Sequence, residues 1–160
     1  MWRNNKVLVI DDNQSRRHDL KILLDFLSEI TCTTASDTWQ SAVAEENNGE
    51  DYVAILIGDY RDSNKSLAQL LKEIRAWNDE LAIVLVGDEN QNVEGLDDLY
   101  RFMIIATISV PPTYNKLVDT LHRAQLYREA QSTSKRQLQR RPVHLFRSLV
   151  GTSREIQSVR

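Results

Sequence analysis

The sequence has 160 residues, of which 41% are hydrophobic and 27% are charged, and its formal net charge is −3. This composition predicts one globular domain with a short appendage. It excludes a transmembrane helix, because no apolar run approaches the roughly 20 residues that such a helix requires. The single cysteine, Cys32, excludes an intramolecular disulfide framework and indicates a reducing, cytoplasmic location.

Charge is unevenly distributed along the chain. Residues 128–160 include eight basic and two acidic residues, whereas the preceding part holds twelve basic and 21 acidic residues. An acidic body with a basic tail suggests two functional parts. A basic tail could bind nucleic acid, but the body is acidic and no DNA-reading helix is evident, so this function is not favoured.

Hydrophobic patterning divides the chain into alternating strands and helices. Short apolar runs predict strands that are buried on both faces, and apolar residues at helical spacing follow them. In chain order we predict strand 7–10, helix 14–27, strand 30–34, helix 38–46, strand 52–57, helix 67–77, strand 81–86, helix 96–102, strand 103–110 and helix 114–129. This alternation predicts an α/β fold with a doubly wound, five-stranded parallel sheet, in which sites form at the carboxyl ends of the strands.

Acidic residues follow two of the predicted strands. Asp11 and Asp12 come directly after strand 7–10, and Asp59 comes just after strand 52–57. Three carboxylates at one sheet edge could bind Mg²⁺ weakly, since this cation prefers oxygen ligands. The structural alternative is that one of the paired acids caps the first helix, for which Asn13 is also a good N-cap, while Asp59 begins a turn. The spacing alone leaves both interpretations open.

Three motifs resemble those of response-regulator receiver domains, which have the CheY-like, flavodoxin-like fold. They are "VLVIDDN" at Val7, "AILIGDY" at Ala54 and "SVPP" at Ser109, and the resemblance covers about residues 6–128. It implies that Asp11 and Asp12 match the acid pair that binds Mg²⁺ in this family. It also implies that Asp59 matches the phosphoacceptor, which takes a phosphoryl group from a histidine kinase.

Two other positions depart from the receiver pattern. The fourth strand, expected to end in Thr or Ser, is followed by Gly87, and Val110 stands where a Lys would precede the proline. A phosphoryl group on Asp59 would add nearly two negative charges without that Lys and hydroxyl to bind them, and Asp88 would repel it. We therefore expect a degenerate receiver that is not phosphorylated. The alternative is a working phosphoacceptor at Asp59.

No other residues indicate catalysis. The three histidines have no zinc-site spacing, no Ser/His/Asp order lies on a strand-to-helix elbow, and no glycine-rich phosphate loop occurs. We therefore expect that this chain is not an enzyme.

The end of the chain carries a second resemblance. After a receiver over residues 1–130, the polar and basic stretch 131–143 is predicted to be a linker or a frayed helix end. Residues 144–160 then regain apolar side chains, and "LFRSLVGTSREIQSVR" resembles the start of the AAA+ ATPase domain of sigma-54-dependent enhancer-binding activators. The rest of such a domain is not in the sequence.

The segment "LFRSLVG", together with the degenerate receiver, resembles flagellar master transcription regulators of the FleQ and FlrA type. This resemblance implies control of flagellar and biofilm genes, DNA binding through a helix-turn-helix domain, and a partner ATPase of the FleN type. It also implies that Leu145, Phe146, Arg147 and Ser148 form part of a cyclic di-GMP site in the full-length protein. The alternative is a linker strand that Phe146 anchors to the next domain.

The last predicted helix of the receiver is long enough to cover the sheet and also to contact a second copy of the chain. Its apolar residues Tyr114, Leu117, Leu121 and Ala124 form one stripe. Receivers usually associate through this helix, and an isologous homodimer is the default symmetry. We expect this face to form a homodimer that restrains the chain's own AAA+ domain.

Overall fold

Ten elements alternate between strands and helices. The computed structural model describes residues 6–27, 32–45, 51–58, 66–87, 93 and 95–159. The elements are β1 (Lys6–Ile10), α1 (Gln14–Asp25), β2 (Cys32–Ser36), α2 (Trp39–Glu45), β3 (Tyr52–Ile57), α3 (Leu67–Trp77), β4 (Ala82–Val86), α4 (Asp98–Met103), β5 (Ile104–Ile108) and α5 (Tyr114–Val159). None of the helices within this described part is both long enough and apolar enough to span a membrane.

The strands form a single parallel sheet in the order β2-β1-β3-β4-β5. The chain leaves β1 in one direction towards β2 and then crosses back to β3, so the strand order reverses between β1 and β3. Ile10 is in register with Ile57 at the carboxyl ends of these two strands, and the Gly58 N–H continues the ladder by donating to the Ile10 carbonyl oxygen at 2.8 Å. The predicted doubly wound parallel sheet is confirmed, and its switch point lies beside the residues that follow β1.

A hydrophobic layer covers each face of the sheet. On one face, Val7 and Val9 of β1 belong to the same buried cluster as residues of α1 and α5. On the other face, Leu8 and Ile10 belong to a cluster with residues of α2, α3 and α4. Because successive strand residues point to opposite faces, this explains why β1 and β3 are apolar throughout. Each fully buried Leu or Ile contributes about 1.5–3 kcal/mol to folding.

Helix α5 extends beyond the predicted receiver helix. Residues 131–143, predicted to be a basic linker or a frayed helix end, lie within α5. The stretch 131–141 contains neither Gly nor Pro and is rich in Gln, Lys and Arg, which are good helix formers. By its internal contacts the chain divides into two units, Met1–Arg128 and Glu129–Arg160. The assignment of residues 144–160 to an AAA+ domain stays a prediction.

Candidate functional site

The candidate site begins where β1 ends. Asp11 is completely buried, whereas the neighbouring Asp12 is exposed. Asn13 is the N-cap of α1, because its side-chain oxygen accepts a hydrogen bond from the Arg16 backbone N–H at 3.1 Å. The backbone N–H of Asn13 donates to Oδ1 of Asp11 at 2.9 Å. Asn13 therefore caps α1 in place of either of the paired acids, and Asp11 is a buried acceptor.

A guanidinium group binds the Asp11 carboxylate from the first turn of α1. Arg16 Nε donates to Asp11 Oδ2, and Arg16 Nη2 donates to Oδ1 at 2.9 Å. The Arg16 side chain is 16% exposed and that of Asp11 is 0% exposed, so water screens this pair weakly. A two-pronged arginine–carboxylate pair of this kind is strong and fixes its own geometry. Arg16 therefore neutralises the negative charge at the centre of the site.

A second arginine binds the backbone of the same residue. Arg17 Nη1 donates to the Asp11 carbonyl oxygen at 2.6 Å, and the Arg17 side chain is half-buried. Both arginines therefore hold Asp11, one through its side chain and one through its main chain.

Gly58 closes the site from the end of β3. A Cβ atom at this position would overlap Oδ2 and Cγ of Asp11 and would lie 3.1 Å from Nη2 of Arg16. The close approach of the β3 backbone to the carboxylate thus requires a glycine. Asp59, the next residue and the predicted phosphoacceptor, lies outside the described residues, as does Asp88.

The two departures from the receiver pattern are both at ends of strands. Gly87 follows β4 with a φ of +133°, and its N–H donates to the Ile108 carbonyl oxygen at 2.9 Å. Val110 is half-buried and packs against the cluster formed with α1 and α5. Neither position offers the hydroxyl or the ammonium group that the receiver pattern places there.

The described residues do not fit the Mg²⁺ site that the receiver resemblance implies. Mg²⁺ requires near-octahedral oxygen ligands at about 2.0–2.1 Å. The oxygens of Asp11 already accept hydrogen bonds from Arg16 and from the Asn13 backbone, and Arg16 places a positive charge beside them.

The role of Arg16 was not predicted from the sequence. Arg16 stands five residues after Asp11, at the third position of a helix that Asn13 caps. An arginine in the first turn after a strand-end acid was the available signal. Sequence spacing alone does not reveal the pair with Asp11, because the two residues lie on either side of the N-cap and are not separated by a helical or strand repeat.

The predicted dimer face requires a correction. Leu117, Leu121 and Ala124 are 0–1% exposed and pack against the sheet within one chain, so they cannot also contact a second copy. Of the four residues, Tyr114 alone is exposed. An apolar stripe on the last helix was correctly identified, but it covers the sheet, because the core needs the same residue types as an interface.

Other apolar side chains on α4 and α5 are exposed. They are Leu99 and Phe102 on α4, and Leu126 on α5. The Phe102 ring lies 5.8 Å from the ring of Tyr127 on α5, so the two helices contact each other here. We call Leu99, Phe102, Leu126 and Tyr127 the α4–α5 surface.

The residues predicted to bind cyclic di-GMP, Leu145, Phe146, Arg147 and Ser148, lie within α5. Their side chains are outside the described part of the structure, so their role stays a prediction.

Solved structures share this fold. The N-terminal receiver domain of a response regulator from Bacteroides fragilis is 20% identical, with a TM-score of 0.57, and the match covers 76% of this chain and 96% of that one. The response regulator StyR is 21% identical, with a TM-score of 0.61, over 97% of this chain and 75% of that one. NtrX from Brucella abortus is 20% identical, with a TM-score of 0.63, over 82% of this chain and 29% of that one. At these identities the likeness shows the receiver fold alone.

A family model extends the comparison from fold to family. Residues 6–126 match the model of the flagellar regulatory protein FleQ. This range includes the acid pair, Arg16, Gly87 and Val110, and it covers well over half of the chain. The chain therefore belongs to the FleQ family of flagellar regulatory proteins.

Proposed function

We propose that this domain is an atypical receiver that is not phosphorylated and that regulates a sigma-54-dependent activator of flagellar genes by dimerisation. The observation that carries the proposal is the pairing of Asp11 with Arg16, since the central acid of the receiver site is bound by the chain itself. The absence of a hydroxyl at Gly87 and of an ammonium group at Val110 supports the same interpretation.

The α4–α5 surface supports dimerisation with a second copy of the chain. Phe102 is 65% exposed, and Leu99 and Leu126 are about half exposed. Exposed large apolar side chains favour association when a partner covers them. Strand β5 is an edge strand of the sheet, and α4 directly precedes it in the chain. A dimer formed here would bring together two copies of the helix that leads towards residue 160.

Light scattering on the 160-residue chain tests dimerisation. The substitution Phe102→Ser should shift the dimer–monomer equilibrium towards monomer, because it removes the most exposed aromatic ring of the α4–α5 surface. Phe26→Ser is the matched control, since Phe26, the C-cap residue of α1, is 78% exposed and lies outside that surface. Equal effects of the two substitutions, or a monomeric wild-type chain at high concentration, would contradict the proposal.

Treatment with a small phosphodonor tests the proposal that the domain is not phosphorylated. We expect no stoichiometric labelling of the chain and no change in its oligomeric state. Asp59→Asn is the control for any label that does appear. Stoichiometric labelling that this substitution abolishes, together with a change in oligomeric state, would instead support a working phosphoacceptor receiver.

The family resemblance extends the proposal to other parts of the regulator. We propose that Arg147 contributes its guanidinium to cyclic di-GMP, since arginine binds phosphate and guanine edges in a two-pronged manner. Arg147→Ala should weaken that binding, measured calorimetrically in a chain that includes the ATPase domain. Contacts with a FleN-type ATPase and with DNA are part of the same proposal.

A further inference from the structure

We infer that the Arg16 guanidinium takes the place of a divalent cation at the carboxyl end of β1, so that the receiver carries its own cation and does not bind Mg²⁺. This inference deepens the proposed function and rests on it for the role of the site.

Hydrogen bonds link Asp11, Asn13 and Arg16 in a ring. Asn13 donates its backbone N–H to Asp11 Oδ1, and its side-chain oxygen accepts the backbone N–H of Arg16. Arg16 returns to Asp11 through Nε and Nη2. The helix cap thus fixes the backbone of Arg16 at the position from which its side chain reaches the carboxylate.

Steric contact keeps the carboxylate in this arrangement. The Gly58 backbone lies so close to Asp11 that even one added methyl group would overlap the carboxylate. Arg17 donates a further hydrogen bond to the Asp11 carbonyl oxygen. Asp11 therefore has little room to turn away from Arg16 towards another ligand.

The positive charge of Arg16 also disfavours binding of a divalent cation at Asp11. A metal ion that bound Asp11 directly would lie close to the positive charge of Arg16, and it could avoid that repulsion only by displacing the Arg16 side chain. Burial of the pair makes this repulsion stronger than it would be in water. Displacing Arg16 would also break both hydrogen bonds of the pair, which are strong because both partners are charged.

The test compares Mg²⁺ binding by the wild-type chain and by Arg16→Gln, measured by calorimetry at constant ionic strength. The wild-type chain should show no binding in the millimolar range. Arg16→Gln should bind at least about tenfold more tightly, the size of change that altered metal surroundings commonly produce. Lys21→Gln is the matched control, because it removes a positive charge from α1 that pairs with Asp25 and not with Asp11; it should behave as the wild type does.

Thermal unfolding provides the second measurement if Arg16→Gln is too unstable for calorimetry. Mg²⁺ should raise the melting temperature of Arg16→Gln and leave those of the wild type and Lys21→Gln unchanged, because a ligand that binds only the folded state stabilises it. Arg16→Lys, which keeps the charge, should remain insensitive to Mg²⁺.

Two results would overturn the inference. One is Mg²⁺ binding by the wild-type chain as tight as that by Arg16→Gln, and the other is an Arg16→Gln chain that neither binds Mg²⁺ nor is stabilised by it. Either result leaves the proposed function standing if the wild-type chain still forms dimers and is not labelled by a phosphodonor. Conversely, loss of dimerisation without Mg²⁺ binding would count against the proposed function alone.

Discussion

A Cβ atom at position 58 would overlap the Asp11 carboxylate, so any residue other than glycine there would force the carboxylate or the backbone to shift. Gly58→Ala should therefore lower the free energy of unfolding by about 1–3 kcal/mol, the usual range for overpacking a tightly packed position. Urea denaturation followed by circular dichroism measures the change. Gly95→Ala is the control, because Gly95 is exposed and no described atom lies within 4 Å of a Cβ at that position. Equal stabilities of the two variants would contradict the close contact.

Breaking the Asp11–Arg16 pair should cause a large loss of stability that a second substitution partly restores. Arg16→Gln should lower the free energy of unfolding by about 3–5 kcal/mol, since it leaves the buried Asp11 carboxylate without its counter-charge. Adding Asp11→Asn should recover part of this loss, because the double variant buries no charge. Lys21→Gln removes an exposed pair with Asp25 and should change stability by about 0.5 kcal/mol or less. A double variant no more stable than Arg16→Gln would show that charge is not the cause.

Replacing Gly87 should destabilise the fold through its backbone conformation and not through steric overlap. No described atom lies within 4 Å of a Cβ at this position, yet its φ of +133° is one that side chains rarely adopt. Gly87→Ala should therefore cost about 1–3 kcal/mol through backbone strain alone. Urea denaturation of this variant beside Gly95→Ala separates strain from steric overlap. A neutral Gly87→Ala would mean that the backbone at the end of β4 relaxes without cost.

Tyr127 predicts a loss of stability at alkaline pH. Burial raises the pKa of Tyr127 above its ordinary value of 10.0, while Arg75 lowers it and Asp79 raises it. Ionisation is thus less favourable in the folded state, so the folded chain holds this proton more tightly than the unfolded chain does. The contribution of protonated Tyr127 to stability is fully present below pH 10.0, and it is lost as the pH rises from there through the pKa of the folded state.

Tyr127→Phe should remove this component of the pH dependence. The measurement is the melting temperature between pH 9 and pH 11, compared with that of Tyr114→Phe, which alters an exposed tyrosine on the same helix. Parallel pH profiles for the wild type and Tyr127→Phe would contradict the assignment.

Much of the fold could be predicted because its apolar runs have clear ends. Strand β3 (Tyr52–Ile57) and helix α3 (Leu67–Trp77) have the bounds that their patterns predict. Strand β2 was harder: the prediction was 30–34, and the observed strand is Cys32–Ser36. Its last residues are in the sheet because Ser36 pairs with Ile10 of β1, and local sequence does not contain that pairing.

The site was predicted in part. The position of Asp11 at the end of β1 followed from the strand pattern, and the missing partners at Gly87 and Val110 followed from the motif. The role of Arg16 could not be predicted, because it depends on how the Asn13 cap orients the first turn of α1. The dimer face was wrong for three of its four residues, since periodicity locates an apolar stripe without indicating what covers it.

The backbone at Gly87 has a consequence for engineering a receiver-type site into this chain. A threonine or serine at position 87 would place a side chain on a φ of +133°, so a hydroxyl there requires the turn that follows β4 to change its path. A lysine at position 110 would not remove that obstacle. Installing the receiver pattern therefore needs a change of backbone as well as of side chains.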